Sequence, residues 1–248
     1  MKFFTINSGS KGNGYVLVSD TGEALCIEAG VKFKEVKKIL NFDISNAKYL
    51  IATHLHTDHF KFAKEYAMSG VDVYSSIETL TNSGFLNDFP HRAKPMEVNK
   101  KVKMGSFTVM GFDLIHDVRN YGYLIHHKEM GLAVMITDTH YCPFMFPGLN
   151  NILIEANYSD NVLERNLESS KINPALANRI RKSHMSEDTM IGFLKANDTT
   201  QVNNIVIIHL SNGNSDAEQI VRRVTETTGI VPHIAKPGLK IEFNKTAF

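Results

Sequence analysis

Short apolar runs recur along the whole chain and alternate with polar or helix-forming segments. Runs of about four to eight residues rich in Val, Ile, Phe and Tyr are typical of β-strands. The predicted strands are Phe3–Ile6, Tyr15–Ser19, Ala24–Glu28, Tyr49–Ala52, Val71–Tyr74, Phe107–Ile115, Gly122–His126, Leu132–Thr137, Asn151–Glu155 and Asn204–Leu210. Further strand-like segments close the chain after the last predicted helix.

Apolar residues at helical spacing separate several of these strands. The predicted helices are Phe33–Leu40, Phe60–Met68, two or three helices between Ser159 and Asn197, and Ala217–Thr227. The polar stretch Phe85–Lys101, which Pro90 and Pro95 interrupt, is predicted to be a loop. Consecutive strands that helices interrupt and follow are typical of mixed sheets covered by helices, so we expect an α/β fold.

Composition limits the class of protein. The chain has 248 residues, of which 43% are apolar, and no linker or repeat divides it, so we expect one domain over residues 1–248. A net charge of +1 gives no global preference for nucleic acid or membranes. Cys26 and Cys142 lie far apart and fit buried, reduced cysteines better than a disulfide. No signal peptide or long apolar run is present, so we expect a soluble, cytoplasmic protein without membrane association.

The segment Thr53–His59 carries the strongest chemical signal in the chain. It places three imidazoles and one carboxylate within a few residues, directly after an apolar strand. Alternate residues of an extended segment point to one side, so His54 and His56 can converge on one metal ion. Asp58 and His59 can face a second ion as the chain turns into a helix. A polar loop facing solvent would explain a single histidine, but this string predicts a metal site.

Other ligands are expected at the ends of distant strands. His116, Asp138 and His209 each follow an apolar run where a strand leaves the sheet, and a rigid scaffold presents ligands at such positions. Taken alone, each would be interpreted as a hydrogen-bonded turn residue. Together with the first cluster, they predict the remaining ligands of the site.

In this order, the His-x-His-x-Asp-His string and the later His, Asp and His resemble the metallo-β-lactamase superfamily. Further segments, from Ser8 to about Val224, resemble its YycJ (WalJ)-like branch, whose members are described as nucleases. These segments are Ser8-Gly9-Ser10-Lys11-Gly12-Asn13, His116-Asp117 with Gly122-Tyr123, Thr137-Asp138, Leu153-Ile154-Glu155-Ala156-Asn157, Ser183-His184-Met185-Ser186, and His209-Leu210-Ser211 with Asn214. Two departures are Glu28-Ala29-Gly30, where Asp-Ala-Gly is usual, and Ser183, where Gly is usual.

The resemblance implies an αββα sandwich of two mixed sheets with the site at one edge. It also implies two metal ions. Imidazole and carboxylate donors favour Zn²⁺, with Mn²⁺ or Fe²⁺ as alternatives. The implied ligands are His54, His56 and His116 for one ion, Asp58, His59 and His209 for the other, and Asp138 as a bridge. A homodimer is common among relatives and is an expectation here.

For catalysis, two such ions can lower the pKa of a shared water and polarise a phosphoryl oxygen, so that hydroxide attacks phosphorus in line. The candidate catalytic residues are Asp58, His184 and Glu155. His184 resembles the histidine of the His-Ser-Thr motif in tRNase Z relatives and is the candidate general acid, which Glu155 would orient. The alternatives are a helix-start role for His184 beside Ser186 and a buried structural role for Glu155.

Substrate phosphate contacts are predicted at Ser8, Lys11, Asn13 and Arg119. The loop Ser8–Gly14 is rich in glycine and can offer backbone N–H groups, although it lacks the Walker pattern and a plain turn explains it equally well. Three further cations can contact phosphate or form a solvated helix face. They are Arg179, Arg181 and Lys182.

These features favour a phosphodiesterase that acts on nucleic acid, by resemblance a nuclease. The low net charge favours the alternative of a small substrate such as a 3′,5′-cyclic mononucleotide. Hydrolysis of an ester, lactone, thioester or lactam is a further alternative. A non-catalytic binding module is disfavoured because no predicted ligand is missing.

Overall fold

The computed structural model describes residues 1–246 and contains two seven-stranded β-sheets. The strands are β1 (Lys2–Asn7), β2 (Gly14–Val18), β3 (Ala24–Ile27), β4 (Ala47–Ile51), β5 (Asp72–Ser75), β6 (Ala93–Pro95), β7 (Lys101–Met104), β8 (Phe107–Leu114), β9 (Asn120–His127), β10 (Gly131–Ile136), β11 (Leu149–Glu155), β12 (Asn204–Ile208), β13 (His233–Ile234) and β14 (Lys240–Glu242). The helices are α1 (Phe33–Ile39), α2 (Thr57–Phe60), α3 (Ala63–Met68), α4 (Ile77–Asn82), α5 (Phe85–Asp88), α6 (Asp160–Glu168), α7 (Pro174–Ser183), α8 (Glu187–Ala196) and α9 (Ala217–Thr228).

Both sheets are mixed, as predicted. The first has the order β14-β1-β2-β3-β4-β5-β6 and is antiparallel as far as β3 and parallel from β3 to β6. The second has the order β13-β12-β11-β10-β9-β8-β7, parallel from β13 to β10 and antiparallel beyond. Parallel neighbours need crossover connections. The helices lie in all of these connections except the one from β10 to β11, residues 137–148, which contains no helix.

The apolar core occupies three layers. Between the sheets, Phe3 and Leu25 of the first pack in one cluster with Tyr123 and Leu153 of the second, all fully buried. The outer face of the first sheet packs against α1 and α3, and that of the second against α8 and α9. The result is the predicted helix–sheet–sheet–helix sandwich. Cys26 and Cys142 are buried and free, as expected.

The prediction of a loop over Phe85–Lys101 is wrong in part. This stretch contains α5 and β6, and Lys101 begins β7. Phe85 is buried against Phe60, with ring centroids 5.7 Å apart. β6 is the edge strand of its sheet, where proline is tolerated because one side of the strand needs no partner. Elements this short have no periodicity to detect, and their apolar contacts come from distant parts of the chain.

The predicted helix Phe60–Met68 is divided into α2 and α3, and α4 and β7 are additional elements. The three helices α6, α7 and α8 fill the region in which two or three were expected. None of the helices within residues 1–246 combines the length and apolar character that a membrane span requires.

One edge of the sandwich collects the ends of several strands. The parallel strands β3 and β4 end side by side in the first sheet, and β10, β11 and β12 do so in the second. β8 runs in the same direction as β10, because both are antiparallel to β9. The residues that follow these strands therefore meet at this edge.

Candidate metal centre

The histidine string lies directly after β4 and is divided by the start of α2. His54 is fully buried and His56 half-exposed, and both precede the first residue of the helix, Thr57. Asp58 and His59 belong to α2. The start of the helix therefore divides the string into two pairs of candidate ligands, and the rings of His54 and His59 lie close together, with centroids 4.2 Å apart.

The first cluster consists of His54, His56 and His116, which follows β8. His54 Nε2 lies 3.1 Å from His56 Nδ1, and His116 Nε2 lies 3.3 Å from the same atom. Donor atoms of the three rings all fall within 4.8 Å of one another, a spacing that suits one metal ion.

The second cluster consists of Asp58, His59 and His209, which follows β12. Asp58 Oδ2 lies 3.4 Å from His59 Nε2 and 3.3 Å from His209 Nε2. Their donor atoms also fall within 4.8 Å of one another. A histidine of α2 and a histidine that follows β12 of the second sheet therefore converge with the carboxylate of Asp58.

Asp138, after β10, lies between the two clusters. Its Oδ2 is 2.8 Å from His59 Nε2, and its Oδ1 is 3.0 Å from His184 Nδ1 and 3.6 Å from His209 Nδ1. It also groups with His54 and His59 as a further possible ligand set. A buried carboxylate that reaches both clusters is in the right place to bridge two ions.

Glu155, the last residue of β11, is a buried carboxylate that supports two histidines. Its Oε1 lies 2.7 Å from His184 Nδ1 and 3.0 Å from His209 Nδ1, and its Oε2 accepts a hydrogen bond from the N–H of Met185 at 3.2 Å. His209 is thereby oriented with Nε2 toward Asp58. The predicted pair of His184 and Glu155 is thus in contact, next to the second cluster.

Glu28 contacts the candidate metal centre, and sequence reasoning missed it. Its Oε1 accepts a hydrogen bond of 2.7 Å from Thr53 Oγ1. The same oxygen lies 3.2 Å from His59 Nδ1, but the angle there does not allow a hydrogen bond. Thr53 Oγ1, having donated its proton, can accept the Nδ1 proton of His54 at 2.8 Å. Nε2 of His54 is then left with a free lone pair for a metal. The sequence feature that could have revealed Glu28 is its position directly after β3, where the family pattern has Asp.

Glycine explains how these segments approach so closely. A Cβ atom on Gly30 would lie 1.8 Å from the carbonyl oxygen of Asp58, and one on Gly12 would lie 2.3 Å from the carbonyl oxygen of Gly30. Asn13 N–H donates to Asp58 O at 2.7 Å, and Ala29 N–H donates to His59 O at 2.7 Å. The loop after β1, the end of β3 and α2 are therefore held together by their backbones.

Charges in the centre compensate one another. Burial lowers the pKa of His184, but Glu155 and Asp138 outweigh this and raise it to about 10. Burial also lowers the pKa of His209, but the carboxylates of Asp138, Asp58 and Glu155 outweigh this effect and raise it to about 9. Burial raises the pKa of Asp138, and the surrounding histidines hold it well below its usual range. Burial and neighbouring histidines lower the pKa of His54, so that it is neutral and able to bind a metal.

Three residues of the centre have unusual backbone conformations. The φ angles of Glu28, Asp138 and His209 are 65°, 52° and 51°, in the left-handed region that non-glycine residues rarely adopt. Each residue lies where the chain leaves β3, β10 or β12. Such conformations persist where the surrounding structure enforces them, and they are concentrated at functional sites.

The donor set fits divalent metal ions. Nε2 of His59 and Nε2 of His209 lie 3.4 and 3.3 Å from Asp58 Oδ2, and Nε2 of His116 lies 3.3 Å from Nδ1 of His56, so imidazole nitrogens and a carboxylate oxygen converge in the two clusters. Imidazole and carboxylate donors suit Zn²⁺ first and Mn²⁺ second. Asp138, Glu155, His184 and His209 form another possible ligand group, so His184 is also within reach of an ion.

A cleft of about 470 Å³ opens onto these residues. We call it the metal cleft. It is lined by Ser10, Leu55, His56, Thr57, Asp58, His116, Asp117, Asp138, Arg179, Ser183, His184 and His209. A substrate in the metal cleft would contact both clusters and His184 at once.

Two of the predicted phosphate contacts have other roles in the structure. Asn13 is buried, with Nδ2 3.0 Å from His59 Nε2. Arg119 pairs with Asp113 at 3.0 Å, stacks over Tyr121 and does not line the metal cleft.

Ser8 and Lys11, which are also predicted phosphate contacts, lie nearer to the metal cleft. Ser8 Oγ accepts a hydrogen bond of 2.8 Å from the N–H of His209 and lies 2.7 Å from Tyr15 Oη. Ser8 therefore holds the backbone of His209 in place. Both residues line a second cavity beside the metal cleft. Which residues of this loop turn inward depends on its packing against α2, which a local motif does not reveal.

Comparison with solved structures gives the same architecture. The metallo-β-lactamase fold protein YhfI from Bacillus subtilis superposes with a TM-score of 0.73 at 15% identity, over 97% of this chain and 99% of that one. The short form of human tRNase Z gives 0.63 at 14% identity, over 98% and 99%. A diphosphatase of the PhnP family gives 0.64 at 14% identity, over 97% and 96%.

No family model matches the sequence, and no curated protein matches it either. At identities near 15%, the structural similarity establishes the fold and not the activity. The two mixed sheets, the flanking helices and the near-complete overlap lead to one conclusion: the chain has the metallo-β-lactamase fold.

Proposed function

We propose that the protein is a dinuclear metal-dependent phosphodiesterase that cleaves nucleotide phosphodiester bonds, as a nuclease of the YycJ-like type. One observation carries the proposal. A histidine paired with a buried carboxylate, His184 with Glu155 at 2.7 Å, lines the same cleft as two clusters of metal-ligand residues. Two clusters suit activation of water and substrate, and the separate histidine suits protonation of a leaving group.

His54, His56 and His116 would hold one ion, Asp58, His59 and His209 the other, and Asp138 would bridge them. When bound, two divalent ions polarise a phosphoryl oxygen and lower the pKa of water. Glu28 and Glu155 orient ligand histidines through their Nδ1 sides, directly or through Thr53, and such outer carboxylates fix the ring tautomer.

His184 would supply the proton that the leaving alkoxide needs. Its Nδ1 faces Glu155 Oε1, which leaves Nε2 to meet the substrate in the metal cleft. In the metal-free chain, Glu155 and Asp138 outweigh the effect of burial and raise the pKa of His184 to about 10, so these two carboxylates favour the protonated ring. A general acid held in this way contributes about 10²–10⁴-fold to the rate. The proton passes from Nε2 of His184 to the departing oxygen, and Glu155 stabilises the cation beforehand.

The fold comparisons support a phosphoester substrate. Two of the three solved structures described above are named as a tRNase and as a diphosphatase. The net charge of +1 favours a second candidate, a phosphodiesterase of small cyclic nucleotides, because such a substrate needs no long basic surface. Both candidates use the same chemistry and differ in the size of the substrate.

The test is a substrate panel on protein loaded with Zn²⁺ or Mn²⁺. The panel contains end-labelled DNA, labelled RNA, 3′,5′-cyclic mononucleotides and a chromogenic lactam, with His184→Ala as the control. Release of nucleotides from DNA or RNA, abolished in His184→Ala, supports the nuclease. Turnover of cyclic nucleotides alone would replace the nuclease by the second candidate. Turnover of the lactam alone would overturn both.

A further inference from the structure

A second cavity, of about 370 Å³, lies beside the metal cleft. Four residues line both cavities: Ser10, Arg179, His184 and His209. We call the second cavity the side pocket. A molecule bound in the metal cleft can therefore extend into the side pocket past His184.

The side pocket has positive charge without a matching negative charge. Lys11 and Arg179 line it, and no Asp or Glu is among its lining residues. Neither cation forms an ion pair within residues 1–246, whereas Arg181 on the same helix pairs with Glu164 and Arg223 pairs with Glu187. The charge of a cation in such an ion pair is balanced within the protein. Two unpaired cations facing one cavity attract an anion.

The backbone of the loop after β1 adds hydrogen-bond donors. Gly9 N–H donates to Asn13 Oδ1 and Gly12 N–H to Gly9 O, which fixes the shape of the turn. Within the described part of the chain, no acceptor meets the N–H groups of Ser10 and Lys11 at the tip. Backbone amides of a fixed turn beside a lysine are typical of phosphate-binding loops.

We propose that the side pocket binds a second phosphate group of the substrate, on the nucleotide next to the scissile bond. This inference rests on the proposed function and narrows its substrate class. A cyclic mononucleotide has one phosphate, which the metal cleft would occupy, and leaves the side pocket empty. The volume lies within the range of small-ligand sites and accommodates a nucleotide unit. The substrate is therefore a chain of at least two phosphates, a DNA or RNA strand or a short oligonucleotide.

The experiment compares inhibitors that carry one or two phosphates. Metal-loaded protein hydrolyses bis(p-nitrophenyl) phosphate in the presence of thymidine 3′,5′-bisphosphate, thymidine 5′-monophosphate or thymidine 3′-monophosphate. Calorimetry measures direct binding of the same three nucleotides. We expect the bisphosphate to bind about tenfold more tightly than either monophosphate, as added charge-assisted hydrogen bonds predict.

Three variants locate the effect. Arg179→Gln and Lys11→Gln are expected to bring the bisphosphate within about twofold of the monophosphates. Lys195→Gln removes an exposed cation of α8 that lines neither cavity, and it should keep the full preference and the basal activity. Equal binding of all three nucleotides by the unchanged protein overturns the inference. It also fails if Lys195→Gln loses as much preference as Arg179→Gln, because general attraction would then explain the effect.

The two proposals fail in different ways. If no phosphodiester is hydrolysed, the proposed function is wrong, and the second-phosphate assignment falls with it even if calorimetry detects anion binding. If hydrolysis proceeds but the bisphosphate has no advantage, only the second-phosphate assignment is wrong, and a single-phosphate substrate becomes the better account.

Discussion

Glu28 Oε1 lies 3.2 Å from Nδ1 of His59 and binds the hydroxyl of Thr53, whose oxygen meets Nδ1 of His54. One buried carboxylate therefore reaches a candidate ligand of the first cluster through Thr53 and lies beside a candidate ligand of the second. Its role resembles that of Glu155, which supports His209 and His184 from the other sheet.

Glu28→Gln is expected to weaken metal binding by about 10–100-fold, because loss of an outer carboxylate frees the ligand rings to turn. Titration with a competing chelator measures the affinity, and metal analysis gives the ions bound per chain. Glu23→Gln is the matched control, since Glu23 lies in the same sheet region and binds Ser106 away from the centre. Equal affinities in Glu28→Gln and in the unchanged protein would show that Glu28 is not a positioning residue.

His184→Ala is expected to retain both ions and to lose about 10²–10⁴-fold in kcat, as removal of a general acid predicts. KM should change little, because the lost contact is made to the leaving group during reaction. Steady-state kinetics with parallel metal analysis test this. His184 also belongs to a possible ligand group, and loss of metal in proportion to activity would make it a ligand and not an acid.

Asp138→Asn is expected to remove both ions together, because the carboxylate contacts the second cluster and groups with His54 of the first. His116→Ala should affect one ion more than the other, since His116 belongs only to the first cluster. Metal content per chain, measured after dialysis against buffer without metal, separates the two patterns. Full retention of two ions in Asp138→Asn would exclude a bridging role.

Stability of the metal-free protein is expected to fall as the pH rises from about 6.5 to about 10. Unfolded histidine has a pKa near 6.5. In the folded chain, neighbouring carboxylates outweigh burial and raise the pKa of His184 to about 10 and that of His209 to about 9. A raised pKa stabilises the fold fully below the unfolded value and loses that effect as the pH passes the folded value.

The lowered pKa values of Asp58, Asp138 and Glu155 act at the other end of the scale. Their contribution to stability is present above about pH 4 and is lost as the pH falls.

Urea denaturation in the presence of a chelator at pH 6, 8 and 10 measures the loss of stability at alkaline pH. His184→Gln should flatten it, whereas His126→Gln, at an exposed position, should not. A free energy of unfolding that is independent of pH in this range would contradict the assignment.

The sequence predicts the fold class and the residues that gather at the candidate centre better than it predicts their surroundings. His54, His56, Asp58 and His59 are adjacent in sequence, so their spacing alone brings them together. His116, Asp138 and His209 follow apolar strands, and strands of equal direction end at one edge.

The supporting contacts depend on packing between distant segments, and no short pattern reveals them. Glu28 meets His59 only because Gly30 lets α2 approach β3. The inward orientation of Asn13 and the pairing of Arg119 with Asp113 have the same kind of origin. For this reason Asn13 and Arg119 were predicted as substrate contacts, while Glu28 was missed.

The positive φ angles of Glu28, Asp138 and His209 have an evolutionary consequence. A left-handed conformation costs about 1–2 kcal/mol for a residue with a Cβ atom and almost nothing for glycine. Glycine at any of the three positions would relieve this backbone strain, but each replacement would also delete a buried carboxylate or imidazole and the contacts that it makes in the centre. Thermostable variants of this protein should therefore carry their substitutions elsewhere, and glycine at any of these positions should leave the protein inactive.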